Sequence, residues 1–199
     1  MKKGETKKKS KFDYNLIAIG AGSGGLVSTF IASAVKAKVA LIEKHKMGGD
    51  CLNTGCVPSK DLISSAKAVQ MLKKHTLYGL KNVSYEVDFA LTMERVQDII
   101  AKVEPHDSVA RYSSLGVECH IGEAMIRSPH EVEVNGQVLT TKNIVVATGA
   151  RPFVPPTPGL EDVQFSHSGN IWDLRKQPKH LAVIGGGPIG SELAQAFRR

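Results

Sequence analysis

Apolar and polar positions along the chain alternate between two periods. Residues 12–19, FDYNLIAI, form a short apolar run ending in glycine, the pattern of a buried parallel strand. GAGSGG follows, then LVSTFIASAVKA with helical spacing, then KVALIEK, a second strand closing at Glu43. Together they predict a βαβ unit of about 33 residues. Pro58 fits the first turn of a helix running to about His75. Residues 76–89 read as a loop. Residues 90–115 read as a helix with Val96, Ile99, Ile100 and Val103 on one face, which Pro105 must kink or restart.

GVECHIGEAMI reads as one strand. EVEV and QVLT flank Asn135-Gly136, a strong hairpin signal. NIVVATGA reads as another buried strand, and RPFVPPTPGLEDV, with four prolines, as a connector. HLAVIGGGPIGSELAQAFRR then repeats the opening pattern of apolar strand, glycine turn and helix.

The chain therefore holds two dinucleotide-type starts. In Gly20-x-Gly22-x-x-Gly25 the first glycine permits the tight turn. The second lets a pyrophosphate approach the backbone, and the third lets helix pack on strand. The helix N-terminus stabilises the phosphates. Glu43, at the end of the second strand, is placed to accept hydrogen bonds from an adenosine ribose. A bare glycine pattern is weak evidence; the strand before it, the helix after it and the acidic residue beyond make it specific. Gly185, Gly187 and Gly190 repeat the spacing, but only Leu181–Arg199 remain for the second unit.

Cys51 and Cys56 are five residues apart. In a regular helix that spacing advances about 7.5 Å, beyond the usual disulfide Cα separation of at most about 6.8 Å. The pair can bridge only if the backbone bends between them, and Asn53-Thr54-Gly55 supplies such a turn. Cys51 falls in the loop before the helix. Cys56 falls at its N-terminus, where the helix field favours a thiolate, and Lys60 adds positive charge. The pair reads as a poised redox disulfide or, more blandly, as two unrelated buried cysteines. No metal site is expected, because zinc would need two more ligands. Cys119 sits in an apolar strand context and reads as core, and Trp172 as a packing residue under the connector.

Composition narrows the class. Hydrophobic residues make up 42% of the 199 and charged residues 23%, which excludes a disordered chain. No run of about 18 apolar residues is present, which excludes a spanning helix. The start has no apolar core of a secretory signal. Three cysteines without such a signal favour a reducing, cytoplasmic setting over a disulfide framework. The net charge of +7 is concentrated in residues 1–11, which hold six lysines and one glutamate. That stretch reads as a disordered tail, and no nucleic-acid partner is expected, since no aromatic-basic interleaving supports one.

GGDCLNTGCVPSK resembles the redox-active signature of the class I pyridine nucleotide-disulfide oxidoreductases. The order of the glycine fingerprint, the CxxxxC helix, ATG at 147–149 and GGGPIG matches that family from about residue 12 to 199. CLNTGCVPSK, VEPHDS and ATGARPFVPP point to its mercuric reductase-like and dihydrolipoamide dehydrogenase-like members, N-terminal part only. The resemblance implies an α/β fold: a doubly wound FAD-binding Rossmann-type domain over 12–160, a connector over 161–179 and a truncated second Rossmann unit, the start of an NAD(P)-binding domain, over 180–199. It implies FAD contacts at Gly20, Gly22, Gly25, Glu43, Gly49, Ala124, Thr148 and Gly149. Gly185, Gly187, Gly190 and Glu192 would begin the NAD(P)H site. Catalytic roles fall to Cys51 as interchange thiol, Cys56 as flavin-side thiolate and Lys60 beside the flavin ring.

In the family reaction NAD(P)H reduces FAD, the flavin reduces the disulfide, and the dithiol reduces a small-molecule or disulfide substrate. Family members are homodimers; the dimer domain with its His-Glu pair, the returning FAD segment and most of the nicotinamide domain have no counterpart in these residues. The alternative expectation is therefore a catalytically inactive FAD-binding fragment.

Overall fold

The computed structural model describes residues 11–199, so the Lys-rich stretch read as a tail lies, Lys11 apart, outside the described residues. In chain order the elements are β1 (Tyr14–Ile19), α1 (Ser23–Ala34), β2 (Val39–Glu43), α2 (Gly49–Asn53), α3 (Cys56–Lys73), α4 (Phe89–Val103) and α5 (Val109–Ser114). Then come β3 (Val117–Ile121), β4 (Ala124–Ser128), β5 (Glu131–Val134), β6 (Gln137–Val146) and α6 (Pro188–Arg198). They divide between two compact units. One runs up to Met47 and resumes over Asp107–Thr148; the other comprises Gly48–His106 and Gly149–Arg199.

The first unit is an α/β layer of Rossmann type. Its six strands lie in the order β3-β2-β1-β6-β5-β4. β3, β2, β1 and β6 run parallel, with Ile17 opposite both Ala40 and Ile144. β2 is buried at every position, as a strand covered on both faces must be. α1 turns Gly25, Leu26, Thr29 and Ser33 toward the sheet, the i, i+4 and i+8 positions of one helical face. Leu26, Ala18, Leu41 and Tyr112 fill the core beneath it. The opposite face buries Ile17, Ala40 and Ile42 against Val132, Val134 and Leu139 of the hairpin.

Three expectations for this unit change. GVECHIGEAMI is two strands, because its halves join different ladders: β3 pairs with β2 in parallel and β4 with β5 antiparallel. The chain turns at Gly122, whose N–H donates to the Glu43 carbonyl at 2.8 Å, while Asn135 Nδ2 donates to the Ile121 carbonyl at 2.9 Å. QVLT and NIVV, read as separate strands, are one. Residues 137–140 of β6 pair antiparallel with β5, and 141–146 pair parallel with β1. Nor is NIVV uniformly buried, since Val146 is 62% exposed.

The second unit is helical. α3 and α4 pack Leu62, Ala66, Met93 and Val96 against Leu193 and Ala196 of α6, with Ile171 and Trp172 between them. α4 opens on Asp88, whose side chain accepts the Leu91 N–H at 3.0 Å. It stops at Val103, and a 3₁₀ turn spans Glu104–Asp107, so Pro105 breaks the helix as its ring requires. The apolar run 181–186 forms no strand. It pairs with no ladder among the described residues, and Leu181, Val183 and Ile184 are exposed. Among the described residues no helix is long and apolar enough to cross a membrane.

A half-buried ion pair ties α3 to α4. The Asp61 side chain is 6% exposed and accepts from Arg95 Nη1, while its other oxygen has no partner among the described residues. Removing the guanidinium leaves a carboxylate in an apolar layer. Since Arg95 is itself half exposed, Arg95→Ala is expected to cost about 2 kcal/mol, below the range for fully buried pairs. Chemical denaturation of the variant checks this, and an unchanged midpoint would show that water already serves Asp61.

Candidate functional site

The first glycine fingerprint forms the turn between β1 and α1. Gly20 has φ +101°, a backbone region closed to most side chains, and a Cβ there would lie 2.2 Å from the Ala147 carbonyl oxygen. A Cβ on Gly25 would lie 1.8 Å from the Gly20 carbonyl oxygen. The turn thus closes only around glycine at both positions. Gly22 is the N-cap of α1, extended, with no side chain to occupy the helix N–H groups and no acidic residue in the first turn. Those groups are the unpaired donors of a helix start, directed where an anion binds.

Glu43 does more than its position at a strand end foretold. It is buried. Its Oε2 accepts the Ala21 N–H at 2.7 Å and its Oε1 the His45 N–H at 2.8 Å. The carboxylate therefore braces the fingerprint turn from the end of β2. A carboxylate offers about four acceptor positions, so two bonds leave capacity for hydroxyl donors. Thr148 follows β6, its Cα 3.2 Å from a Cβ built on Gly20, so this backbone crosses directly over the turn. Ala124 opens β4, paired with Val134, at a small hollow shared with Glu133 and Asn135.

The cysteines belong to the second unit. Cys51 lies not in a loop but in α2, whose short run begins at Gly49. Cys56 is the first residue of α3 and is exposed; Cys51 is half-buried. Between them the helix breaks at Thr54 and Gly55, the distortion that a bridge across this spacing demands. One turn into α3, Lys60 Nζ donates to both carboxylate oxygens of Glu192 on α6, at 2.8 and 3.0 Å. Two site residues expected to serve different cofactors are thus ion-paired. Both are exposed, so the pair contributes little stability.

The second fingerprint repeats the backbone of the first. Gly185 has φ +103°, Gly187 is the extended N-cap of α6, and a Cβ on Gly190 would meet the Gly185 carbonyl oxygen at 2.6 Å. Gly149, with φ +68°, also falls in this unit. A cleft of about 620 Å³ gathers Cys56, Lys60, Glu192, Arg151, His167 and Trp172. Spacing alone missed Trp172. Its Nε1 donates to the Thr54 and Ser168 carbonyls at 2.9 and 2.7 Å. A lone tryptophan in NIWDL carries a hint of this, since a buried indole N–H needs an acceptor.

The cysteine outside this unit differs in chemistry. Burial pushes the Cys119 thiol up, against a smaller opposing effect of a hydrogen bond with Ser113, and its S–H donates weakly to the Val117 carbonyl at 3.9 Å.

Residues 14–199 match the family described as pyridine nucleotide-disulphide oxidoreductase. The chain is 37% identical to a mercuric reductase of Bacillus cereus, over 94% of this chain and 30% of that enzyme. It is 37% identical to a dihydrolipoyl dehydrogenase of Acholeplasma laidlawii, over 93% of this chain and 56% of that one. A glutathione reductase of Nostoc sp. is 34% identical, over 94% of this chain and 40% of that one. The chain thus spans 30 to 56% of the length of these relatives. The HOCl-induced flavoprotein disulfide reductase of Escherichia coli superposes with a TM-score of 0.76 at 26% identity, over 92% of this chain and 39% of that one.

Proposed function

Because the chain belongs to the pyridine nucleotide-disulphide oxidoreductase family, we propose that it serves a flavin-dependent reaction in which electrons from NAD(P)H open a Cys51–Cys56 disulfide and the resulting dithiol reduces a substrate, in the manner of mercuric reductase. The observation that carries this reading is the helix break between α2 and α3, which sets one cysteine on each side of a closed turn.

The glycine cradle fits a dinucleotide: side chains are excluded at Gly20 and Gly25, and the N–H groups of α1 stand uncapped at Gly22. In this reading Gly20, Gly22 and Gly25 receive the FAD pyrophosphate, Glu43 the ribose, and the backbone at Ala124, Thr148 and Gly149 further parts of the molecule. Gly49 and Lys60 serve its flavin end by the family resemblance. FAD, when bound, supplies the two-electron relay between nicotinamide and disulfide. Cys51 exchanges with substrate, and Cys56 holds the thiolate on the flavin side. Opening the bond to a Cys51 thiol and a Cys56 thiolate consumes two electrons and one proton, together the equivalent of one hydride. Gly185, Gly187, Gly190 and Glu192 begin the NAD(P)H site. The substrate is a small molecule or a disulfide, and the setting a reducing one such as the cytoplasm.

A second reading, an FAD-binding chain without turnover of its own, is favoured by the unpaired, exposed run at 181–186. One preparation separates them. The chain purified with FAD is expected to keep its yellow colour through gel filtration. Mild oxidation is expected to join Cys51 to Cys56, with mapping of the linked peptide as the readout. Loss of flavin or a failure to join the cysteines sinks the first reading. Retained flavin and a formed disulfide without NAD(P)H oxidation select the second for the 199-residue chain.

A further inference from the structure

We propose that Trp172 is a positioning residue for the cysteine pair: its indole N–H holds the Thr54 carbonyl in the turn between Cys51 and Cys56 and thereby sets how readily the two thiols join. The inference rests on the proposed redox role of those cysteines.

Trp172 has no freedom of its own. It lies in a 3₁₀ turn, Ile171–Asp173, and is 3% exposed. Its core neighbours include Leu62 of α3, Val96 of α4 and Leu193 of α6. Its carbonyl accepts from Gln97 Nε2 at 3.3 Å and from Arg175 Nη1 at 3.0 Å. The ring is therefore fixed by packing and the backbone by two side chains. What remains adjustable is what the indole holds.

It holds the turn. Nε1 is shared between the Ser168 carbonyl at 2.7 Å, which belongs to its own segment, and the Thr54 carbonyl at 2.9 Å, which does not. Thr54 closes α2, its N–H donating to the Asp50 carbonyl at 2.9 Å. Its carbonyl belongs to the helix end, where acceptors lack partners within the helix. Gly55 folds back so tightly that a Cβ there would lie 2.8 Å from the Asp50 carbonyl oxygen and 3.5 Å from the Cys51 Cα. The segment joining the cysteines is thus closed on one side by its own backbone and pinned on the other by a rigid ring from far along the chain.

Such a pin is made more fully in the disulfide than in the dithiol, and so it favours the joined state. A disulfide fixes the segment by itself, whereas two thiols leave it free to open. Holding it closed beforehand removes part of the conformational cost of joining. A hydrogen bond of ordinary net strength corresponds to a roughly 2- to 10-fold change in an equilibrium constant. The pin therefore favours the joined state by about that factor.

The test is a thiol-disulfide equilibrium on the whole chain in a Cys119→Ala background. Oxidised and reduced dithiothreitol serve as partners: the two cysteines lose two hydrogens to the oxidised reagent, which becomes the dithiol. Acid quenching, alkylation and mass spectrometry give the joined fraction. Trp172→Phe keeps a ring in the core and removes the donor. Since the chain has one tryptophan, biosynthetic replacement by β-(3-benzothienyl)alanine gives an isostere of near-identical shape without the N–H. Both proteins are expected to form the disulfide with an equilibrium constant about 5-fold lower than the parent. An isostere within twofold of the parent overturns the proposal, whatever Trp172→Phe does, because a change confined to phenylalanine reports packing. A parent that forms no Cys51–Cys56 bond at all overturns the reading of the pair itself and this proposal with it.

Discussion

A Gly25→Val chain is expected to emerge without flavin and with its first unit destabilised by about 3 kcal/mol, the upper end for overpacked interiors. The new Cβ would lie 1.8 Å from the Gly20 carbonyl oxygen and 3.0 Å from its carbon, and both are backbone atoms that cannot swing aside. Relief requires α1 to lift from β1, which opens the packing of Leu26 on Ala18 and Leu41. Against the ~5–15 kcal/mol that holds a domain together, such a loss should lower the melting temperature by more than about 10 °C. Gly22→Val separates binding from folding. Gly22 has φ −82° and ψ −171°, an extended conformation that valine adopts readily, so this variant should melt close to the parent. Its side chain would stand at the uncapped start of α1, so the flavin should be lost all the same. Visible absorbance after gel filtration and a melting curve decide both. A yellow Gly22→Val protein would remove the pyrophosphate from this turn. A Gly25→Val protein melting with the parent would mean that the helix can shift at little cost.

The fingerprints were readable because glycine at fixed spacing reports backbone conformation. Gly20 and Gly185 adopt nearly the same φ, +101° and +103°, although one turn follows a paired strand and the other does not. The hairpin at Asn135-Gly136 was readable for the same reason, with φ +50° and +78° at its two central residues. Hydrophobic periodicity carried less. It registers how a residue is buried but not which ladder it joins, so the division of β6 between two partners and the break at Gly122 escaped it. It likewise assigned 181–186 to a strand, although an apolar run becomes one only where another backbone takes up its N–H and C=O groups.

The site was legible in its residue types and not in its ties. Cys51 and Cys56 declare themselves by spacing, and the turn between them by Asn53-Thr54-Gly55. A five-residue helix around Cys51 leaves almost no periodic signal, which is why α2 was missed. Glu43 was placed at the end of β2, but its bond to the Ala21 N–H depends on how the strand and the turn come together in space. Trp172 and Thr54 are separated by 118 positions in the chain, and no local pattern links them.

The three thiols should react with iodoacetamide in the order Cys56, Cys51, Cys119 in the folded chain. Alkylation proceeds through the thiolate and requires access. Cys56 is exposed, at the start of α3. Cys51 is half-buried within α2. Cys119 lies on β3, where burial raises its thiol above the ordinary value and keeps the proton on sulfur. The direction fixes the pH dependence. A raised thiol is protonated through the neutral range, so Cys119 labelling should stay slow near pH 7 and climb only at more alkaline pH than a free cysteine. Near neutral pH the gap between Cys56 and Cys119 should be at least about 10-fold, and it should collapse in denaturant, where all three share one environment. Peptide mapping of a timed labelling series reads all three rates from one sample. Cys119 reacting as fast as Cys56 in the folded protein would mean that β3 opens to solvent more freely than its ladder to β2 allows. Cys51 leading Cys56 would overturn the order read from exposure, while leaving Cys51 as the thiol that exchanges with substrate.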